Sequence, residues 1–478
     1  MLASNSTFSG GDATLAGLQR LAQEGVIRRY LVIERGGLRF GLFGVLGKEA
    51  TFYTSGGAVA FADAIETAKE MVKVLRETEH VDVVIALSHG GLEKGPDGRH
   101  TDGDDLRLAR AVPGIDVVIG GHSHTELREV LIVNGRTPVV QAGKEGRALG
   151  ELVITLDGDQ LMVESYRLHS IDDRIAGDRA IADAIEQQKP LVTAAVFAAR
   201  GYRIDQPLAV VPRDLPNTFT DIAAGTPLAN LCTDAYRRAT QADIGFTANG
   251  MIRAGLIRRK SGVQTVYDVF AVAPLGAGVV DRTAGSALVT GWFTGLELKH
   301  LLEFLLVDTP AHPGEYFPRA SGLRFHYDPS RPTFDVVTAI ELGDLDHGYR
   351  PIDISGNDTR LYNLTCPLYL GLIIMAIPKY SKGKLALVPK DKDGEPLKSR
   401  VDALEAPRDR ETPYLLPPPG TLDRGSVALG AGKDAGREIK EWQAIMDHLR
   451  GLPVKSPGEL PEIPVDERAA EVRAIKAG

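Results

Sequence analysis

The chain has 478 residues, of which 43% are hydrophobic and 25% are charged, and its formal net charge is −8 at pH 7. This length is too great for one ordinary core, so two domains and a tail are predicted. The net negative charge argues against binding to a nucleic-acid polymer. No apolar run approaches the length of a membrane span. The N-terminal segment MLASNSTFSGGD lacks the basic and apolar regions of a signal peptide. Cys232 and Cys366 are too few for a disulfide framework, and we expect two buried free thiols.

The first region of the chain alternates strand patterns with helix patterns. In chain order these predict a hairpin at 29–47, a helix at 60–78, a buried strand at 81–91, a short helix at 104–112, a second buried strand from 115, and further strands within 137–168. Buried strands separated by helices predict an α/β fold, with helices layered on a sheet in an α/β/α arrangement.

The second region begins with a predicted connecting helix at 176–200. Its clearest later segments are helices at 226–240 and 294–306, a turn at 247–255, a strand and turn at 269–278, Pro-rich turns at 417–420, and an amphipathic helix at 435–452 whose Trp442 stripe is predicted to pack on a core. We therefore predict four parts: a first domain at 1–175, a linker at 176–206, a second, α+β domain at 207–406, and turns, a helix and a tail at 407–478.

Histidines follow both buried strands of the first region. His89 ends the strand in VDVVIALSHGG, and His122 and His124 follow IDVVIGG, in which Gly120 and Gly121 release the chain from the strand. Ligands of open α/β sheets bind beyond the carboxyl ends of strands, so both turns are expected to face one crevice. A single histidine there could simply be a hydrogen-bonding group, but three favour a metal site. If the segment is extended, His122 and His124 point the same way and could reach two nearby ions of a dinuclear hydrolytic site.

Three acidic residues precede the short helix at 104–112. Asp102, Asp104 and Asp105 could be metal ligands, but their position before a helix favours a role as helix caps and as partners of the helix dipole.

Several motifs follow one another along the chain in an order typical of a known family. SHGG (88–91), GGHSH (120–124) and QAGKEGRALGEL (141–152) resemble the later part of a calcineurin-like metallophosphoesterase domain. NLCTDA (230–235), ADIGFTANGMIRAGL (242–256), VFAVAPLGAG (269–278) and YFPRASGLRFHYD (316–328) follow in the order of the 5′-nucleotidase C-terminal domain. SKGKLALVPKDKDGEPL (381–397) and EIKEWQAIMDHL (438–449) resemble the bacterial bifunctional metallophosphatase/5′-nucleotidase group, so the resemblance covers nearly the whole chain.

The resemblance implies hydrolysis of a small phosphoester such as a nucleotide, in which a metal-bound hydroxide attacks phosphorus. It implies two divalent ions (Zn, Mn, Co, Fe or Mg), with His89 and His122 on one ion and His124 reaching the other. Asn249, Gly250 and Arg253 match the motif that holds the substrate, although Arg253 could instead pair with a carboxylate in a structural turn. Relatives of this kind imply a periplasmic or cell-surface location.

The chain also departs from the family pattern. Asp-x-His, Gly-Asp and Gly-Asn-His motifs, which carry the first metal ligands, have no counterpart in residues 1–88. We therefore expect that the chain starts beyond that half of the catalytic domain and is weak or inactive alone. Leu275 stands where the family has a Phe that stacks on the base of the nucleotide, so the sequence does not fix the identity of the substrate. The alternative is a degenerate, non-catalytic homologue that acts as a ligand-binding or scaffold protein.

Overall fold

The computed structural model describes the chain except residues 9–14, 54–58, 96, 159, 173, 218–224, 279–280, 282, 308–313, 398–437, 467–468, 470 and 478. The described residues divide into two compact units, one formed by Met1–Gly177 and the other by residues from Asp178 onward. The Pro-rich turns predicted at 417–420 lie outside the described residues.

The first unit contains both strands and helices. Its strands are β1 (Ser6–Thr7), β2 (Tyr30–Arg35), β3 (Leu38–Leu46), β4 (Ala60–Phe61), β5 (Val83–His89), β6 (Glu93–Lys94), β7 (His100–Asp102), β8 (Val117–Ile119), β9 (Leu131–Val133), β10 (Thr137–Val140), β11 (Ala148–Asp157) and β12 (Gln160–Ser170). Its helices are α1 (Ala16–Gln23), α2 (Lys48–Tyr53), α3 (Ala64–Lys73) and α4 (Asp104–Ala111).

The central sheet of this unit has the strand order β2-β3-β5-β8-β10-β9. Strands β3, β5, β8 and β10 run parallel, and β2 and β9 pair antiparallel at the two edges. The long apolar run of β5 is typical of a parallel strand that is covered on both faces. Helix α3 packs on β3, α4 packs on β9 and β10, and the two helices contact each other. The side chain of Asp63 starts α3 by accepting from the Ile65 and Glu66 amides.

The second unit also combines strands and helices. Its strands are β13 (Pro207–Val210), β14 (Ile244–Ala248), β15 (Val263–Thr265), β16 (Leu288–Phe293), β17 (Pro318–Ser321), β18 (Leu323–Tyr327), β19 (Val337–Asp344), β20 (Gly348–Pro351), β21 (Tyr362–Pro367) and β22 (Ala474–Lys476). Its helices are α5 (Arg179–Val192), α6 (Pro227–Thr240), α7 (Val266–Val272), α8 (Gly295–Leu305), α9 (Leu368–Tyr380) and α10 (Glu441–Arg450).

Two four-stranded sheets form the centre of the second unit, with the orders β16-β21-β14-β17 and β20-β19-β18-β22. Helix α6 packs on β14 and β17, and α10 packs on α6 and α7. Trp442 of α10 is fully buried, with ring edges against Phe197, Tyr202 and Phe270, which confirms that its stripe packs on a core. Cys232 and Cys366 are both buried free thiols, as predicted.

The predicted hairpin at 29–47, the strands that carry the histidines and the helices near 104–112, 226–240 and 294–306 are confirmed. The strand predicted from VFAV (269–272) is wrong, because these residues belong to helix α7. The side chains of Thr265 and Asp268 form a capping box that starts this helix, and the spacing T-x-x-D before the apolar run was the sequence signal for it. Among the helices described, none is long and apolar enough to cross a bilayer.

Candidate functional site

Two of the predicted histidines lie together at the carboxyl end of the parallel sheet. His89 is the last residue of β5, and β8, which pairs with β5 through Leu87 and Ile119, leads into the turn that carries His122. The ring centroids of His89 and His122 are 5.0 Å apart, with the planes tilted by 57°. Partial burial, and then the neighbouring His122, lower the pKa of His89. This favours the neutral imidazole, which is the form that binds metal ions.

The prediction for His122 and His124 assumed an extended segment, but the turn after β8 is not extended. His122 has φ 71° and His124 has φ 55°, so both lie in the left-handed region that residues other than glycine seldom adopt. The alternation of an extended strand therefore does not describe how these side chains point. Within the described part of the chain, no three His, Cys, Asp or Glu side chains form a group that could hold an ion. The structure thus brings His89 and His122 together but does not group His124 with them around one point.

The glycines before His122 leave room for neighbouring side chains. A Cβ atom at Gly120 would lie 2.2 Å from Oδ2 of Asp105, and one at Gly90 would lie 2.8 Å from Oδ1 of the same residue. A Cβ at Gly121 would lie 3.2 Å from Nδ1 of His89. Any other residue at Gly120 or Gly90 would displace Asp105, which explains why each strand ends in glycine beside its histidine.

The Asp105 side chain is fully buried beneath the two histidine turns. Desolvation raises the pKa of its carboxyl group to about 7, although the Ser88 hydroxyl and the Gly90 and Gly91 amides face it and lower the pKa in part. Within the described residues, none of these groups reaches the distance and angle of a full hydrogen bond to the carboxyl oxygens. Sequence reasoning missed this role, and an acidic residue at an inward position of an amphipathic helix was the available signal.

The predicted capping role of Asp102, Asp104 and Asp105 is wrong. The residue before α4 is Gly103, with φ 115°, and no side chain caps the helix there. Asp104 instead accepts a hydrogen bond from the Lys48 amide at 2.6 Å, and Asp102 accepts one from Arg107 at 2.7 Å. Asp104 and Asp105 lie in the first turn of α4, which confirms their predicted place at the positive end of the helix dipole.

The predicted substrate residues lie in the second unit, directly after β14. Asn249 is 3% exposed; its Nδ2 donates to the Gly314 carbonyl at 2.9 Å and its Oδ1 accepts from Nε of Arg319 at 2.7 Å. Because a guanidinium can only donate, this contact sets the orientation of the amide. Among the described residues, the second N–H of this amide has no hydrogen-bond partner, so it is available to a ligand.

The other two residues of this motif are held by their neighbours. A Cβ at Gly250 would lie 2.5 Å from Cγ of Glu315, so the side chain of Glu315 lies directly over this glycine. Arg253 is half-buried and donates from Nη1 to the Gly250 carbonyl at 3.0 Å. This bond fixes one edge of the guanidinium, which has further donors for a phosphate or carboxylate.

Arg319 was not predicted as part of this site. It is 6% exposed, lies 5.0 Å from the centroid of the Phe317 ring, and stands opposite Thr247 in the pairing of β14 with β17. A charged residue within the buried strand PRAS was the signal that could have identified it.

The chain is similar to known proteins in both its sequence and its fold. Residues 208–370 match the family model of the 5′-nucleotidase C-terminal domain. The chain is 34% identical over 367 residues to a 5′-nucleotidase of Mus musculus, which covers 71% of this chain and 59% of the mouse protein. The chain therefore carries a 5′-nucleotidase C-terminal domain and is similar to 5′-nucleotidases over most of its length.

Two further proteins are similar to this chain. A trifunctional nucleotide phosphoesterase of Bacillus subtilis is 28% identical over 327 residues, which is 67% of this chain and 20% of that protein. The crystal structure of a 5′-nucleotidase precursor from Thermus thermophilus has the same fold, with a TM-score of 0.61 and 22% identity over 99% of this chain and 78% of that one. The chain spans less than two thirds of the length of the mouse and Bacillus relatives.

Proposed function

We propose that this chain carries the histidines and the substrate-binding residues of a divalent-metal-dependent phosphoester hydrolase of the 5′-nucleotidase type, acting on a nucleotide or a related small phosphoester. The observation that carries the proposal is the pair of adjacent imidazoles, His89 and His122, at the carboxyl ends of two neighbouring parallel strands. Similarity to 5′-nucleotidases supports the reaction class. The predicted periplasmic or cell-surface location stays a prediction.

The separation of the two rings fits a shared ion. Two imidazoles that bind one tetrahedral ion through nitrogens at about 2.0–2.1 Å have ring centres ~5 Å apart. The centroids of His89 and His122 are 5.0 Å apart. These two side chains supply part of a coordination shell, and His124 is proposed to reach a second ion from the same turn.

The residues of this chain would have separate roles in binding the metal and the substrate. Divalent ions, when bound, supply Lewis-acid activation of water and neutralise the charge of a phosphoryl group. His89 and His122 would hold an ion through their ring nitrogens. Arg253 offers a planar pair of N–H donors to an anionic oxygen, and the amide of Asn249, oriented by Arg319, offers its second N–H to the substrate.

A binding protein without catalysis is the second candidate. One observation favours it: over the described ranges, no three ligating side chains form a group that could hold an ion. A pair of imidazoles binds a divalent ion less tightly than a complete set of four ligands does. This candidate predicts that the chain binds a nucleotide or phosphoester without turning it over.

The two candidates are separated by one set of measurements on the full chain. Co²⁺ binding is followed by absorption and equilibrium dialysis, and hydrolysis of p-nitrophenyl phosphate and AMP is followed with and without Co²⁺ or Mn²⁺. The proposal predicts weak binding and slow, metal-dependent turnover, with both reduced about tenfold or more in His89→Gln and His122→Gln. His347→Gln, at a side chain 83% exposed in the second unit, is the matched control and should change neither.

Failure of the proposal has a distinct signature. Nucleotide binding without turnover at any metal concentration would favour the binding protein. Co²⁺ binding that is equal in the wild type, His89→Gln and His122→Gln would show that these imidazoles are not ligands. Tight binding of two ions by this chain would contradict the partial ligand set described above.

A further inference from the structure

Ser123 stands between two histidines whose backbone conformation has to be held by contacts. His122 and His124 both have positive φ, 71° and 55°. Residues other than glycine seldom adopt a positive φ, and this conformation persists only where neighbouring groups hold it in place. The question is therefore which group fixes the turn, and with it the direction of both imidazoles.

The Ser123 hydroxyl makes a complete set of hydrogen bonds to three segments. It donates to Oε1 of Gln141 at 3.0 Å, accepts from the Leu92 amide at 3.0 Å, and lies 2.9 Å from the Thr125 hydroxyl. A serine hydroxyl has one proton and two lone pairs, so Thr125 must be the donor in its contact with Ser123. All the hydrogen-bonding capacity of this one oxygen is used.

Each partner of Ser123 belongs to a different part of the site. Leu92 follows His89 by three residues, so its amide ties the first histidine turn to the second. Gln141 follows β10 and is 2% exposed. Its backbone carbonyl accepts hydrogen bonds from the Leu127 amide at 3.1 Å and from the Tyr166 hydroxyl at 3.3 Å. Ser123 therefore connects the turn of His89, the turn of His122 and His124, and the end of the neighbouring strand.

The space around Ser123 limits what can replace it. A Cβ at Gly91 would lie 3.2 Å from Cβ of Ser123 and 3.5 Å from Cδ2 of His122. Serine fills this position closely, so alanine removes the hydroxyl without adding an atom, and threonine keeps the hydroxyl at the cost of one methyl group. These two variants isolate the hydroxyl from the volume of the side chain.

We propose that Ser123 is a positioning residue whose hydroxyl orients His122 and His124 and holds their turn against that of His89. This rests on the proposed role of these histidines as metal ligands. Groups that orient metal-ligating histidines typically contribute 10- to 100-fold in metal affinity without touching the ion. Ser123 acts through the backbone of its own turn.

The experiment has a metal-free arm and a metal arm. In the metal-free arm, ring-nitrogen NMR signals of His89, His122 and His124, assigned with single His→Gln variants, are compared in the wild type, Ser123→Ala and Ser123→Thr. In the metal arm, the Co²⁺ affinity and absorption spectrum of the same proteins are measured. Thr137→Val is the matched control, since it removes a buried hydroxyl of the same sheet that donates to the Ile115 carbonyl at 3.0 Å. Among the described residues, this hydroxyl makes no hydrogen bond to either histidine turn.

Ser123→Ala is expected to change the ring signals of His122 and His124 and to weaken Co²⁺ binding about 10- to 100-fold with an altered spectrum. Ser123→Thr should recover most of the wild-type signals and affinity, and Thr137→Val should leave both unchanged. Wild-type signals and affinity in Ser123→Ala would overturn the inference. If the wild type binds no Co²⁺ through His89, the proposed function fails, and the metal-free ring signals still decide the role of Ser123.

Discussion

The carboxyl group of Asp105 occupies the space that a side chain at Gly120 would need. A Cβ atom there would lie 2.2 Å from Oδ2 of Asp105, and no real side chain tolerates that separation. Gly120 directly follows β8 and Asp105 lies in α4, so the contact joins the helix to the segment that leads into the second histidine turn. The glycine is therefore a packing requirement that the buried carboxylate imposes.

Gly120→Ala should lower the free energy of unfolding of the first unit by about 1–3 kcal/mol, the usual cost of overpacking. Chemical denaturation measures this change. In the double variant Gly120→Ala/Asp105→Ala the clash is absent, so the two substitutions should cost less together than the sum of their separate costs. Gly17→Ala is the control, because a Cβ at Gly17 meets nothing within 4 Å. Strictly additive costs would contradict this account.

Lys440 predicts a second stability effect, in the second unit. Its side chain is fully buried, and Nζ contacts Oδ1 of Asp281 at 2.8 Å and Oε2 of Glu438 at 3.1 Å. Lys440→Met removes the ammonium from the buried carboxylate of Glu438 and from the more exposed one of Asp281, and it should cost about 3–5 kcal/mol in denaturant unfolding. Lys455→Met, at an exposed pair with Glu462, should leave the unfolding transition unchanged. If the two substitutions changed the free energy of unfolding equally, burial would not determine the cost of removing the lysine.

Much of the fold follows from local patterns along the chain. Apolar runs that end at glycine predicted β5 and β8, and the pattern on either side of Gly36-Gly37 predicted the hairpin of β2 and β3, because burial on a sheet sets the period of these residues. Helix α7 was missed because a short apolar run such as VFAV reads equally as a buried strand or a helix, and only the capping residues Thr265 and Asp268 distinguish them.

The site was predicted in part, for a similar reason. His89 and His122 could be placed together because parallel strands end at one edge of a sheet. The left-handed conformations of His122 and His124, the Ser123 contacts and the position of Asp105 under Gly120 all depend on residues that approach from other segments. Arg319 meets Asn249 across 70 positions of sequence, a distance over which no local pattern carries information.

Glu441 predicts a pH-dependent stability. Its carboxyl group is fully buried, and burial raises its pKa to about 8, although the Tyr236 hydroxyl, which donates to Oε2 at 3.0 Å, lowers it in part. The folded state therefore holds this proton more tightly than the unfolded state, so stability is lost as pH rises from the unfolded pKa toward about 8. A single such group contributes a slope of at most about 1.4 kcal/mol per pH unit.

Glu441→Gln removes that titration while keeping the shape of the side chain. Denaturant unfolding between pH 5 and 9 should show a shallower loss of stability in the variant, and the variant should gain on the wild type as pH rises. Glu459→Gln, at an exposed position, is the control and should follow the wild-type curve. Parallel curves for wild type and Glu441→Gln would refute the assignment.

His448 should act in the opposite direction at lower pH. Burial, and then the charge of Arg238, lower its pKa to about 4, while Asp234 raises it in part; Nη1 of Arg238 lies 3.3 Å from Nδ1 of the ring. The unfolded state takes up a proton near the ordinary histidine pKa and the folded state does not, so stability is lost as pH falls from about 6.5 toward 4. His448→Gln should therefore gain stability relative to the wild type between pH 7 and pH 5, measured against the difference between the two proteins at pH 8, where both side chains are neutral. A relative stability that stays constant over this range would mean that the imidazole titrates normally in the folded protein, and that its contact with Arg238 opens at little cost.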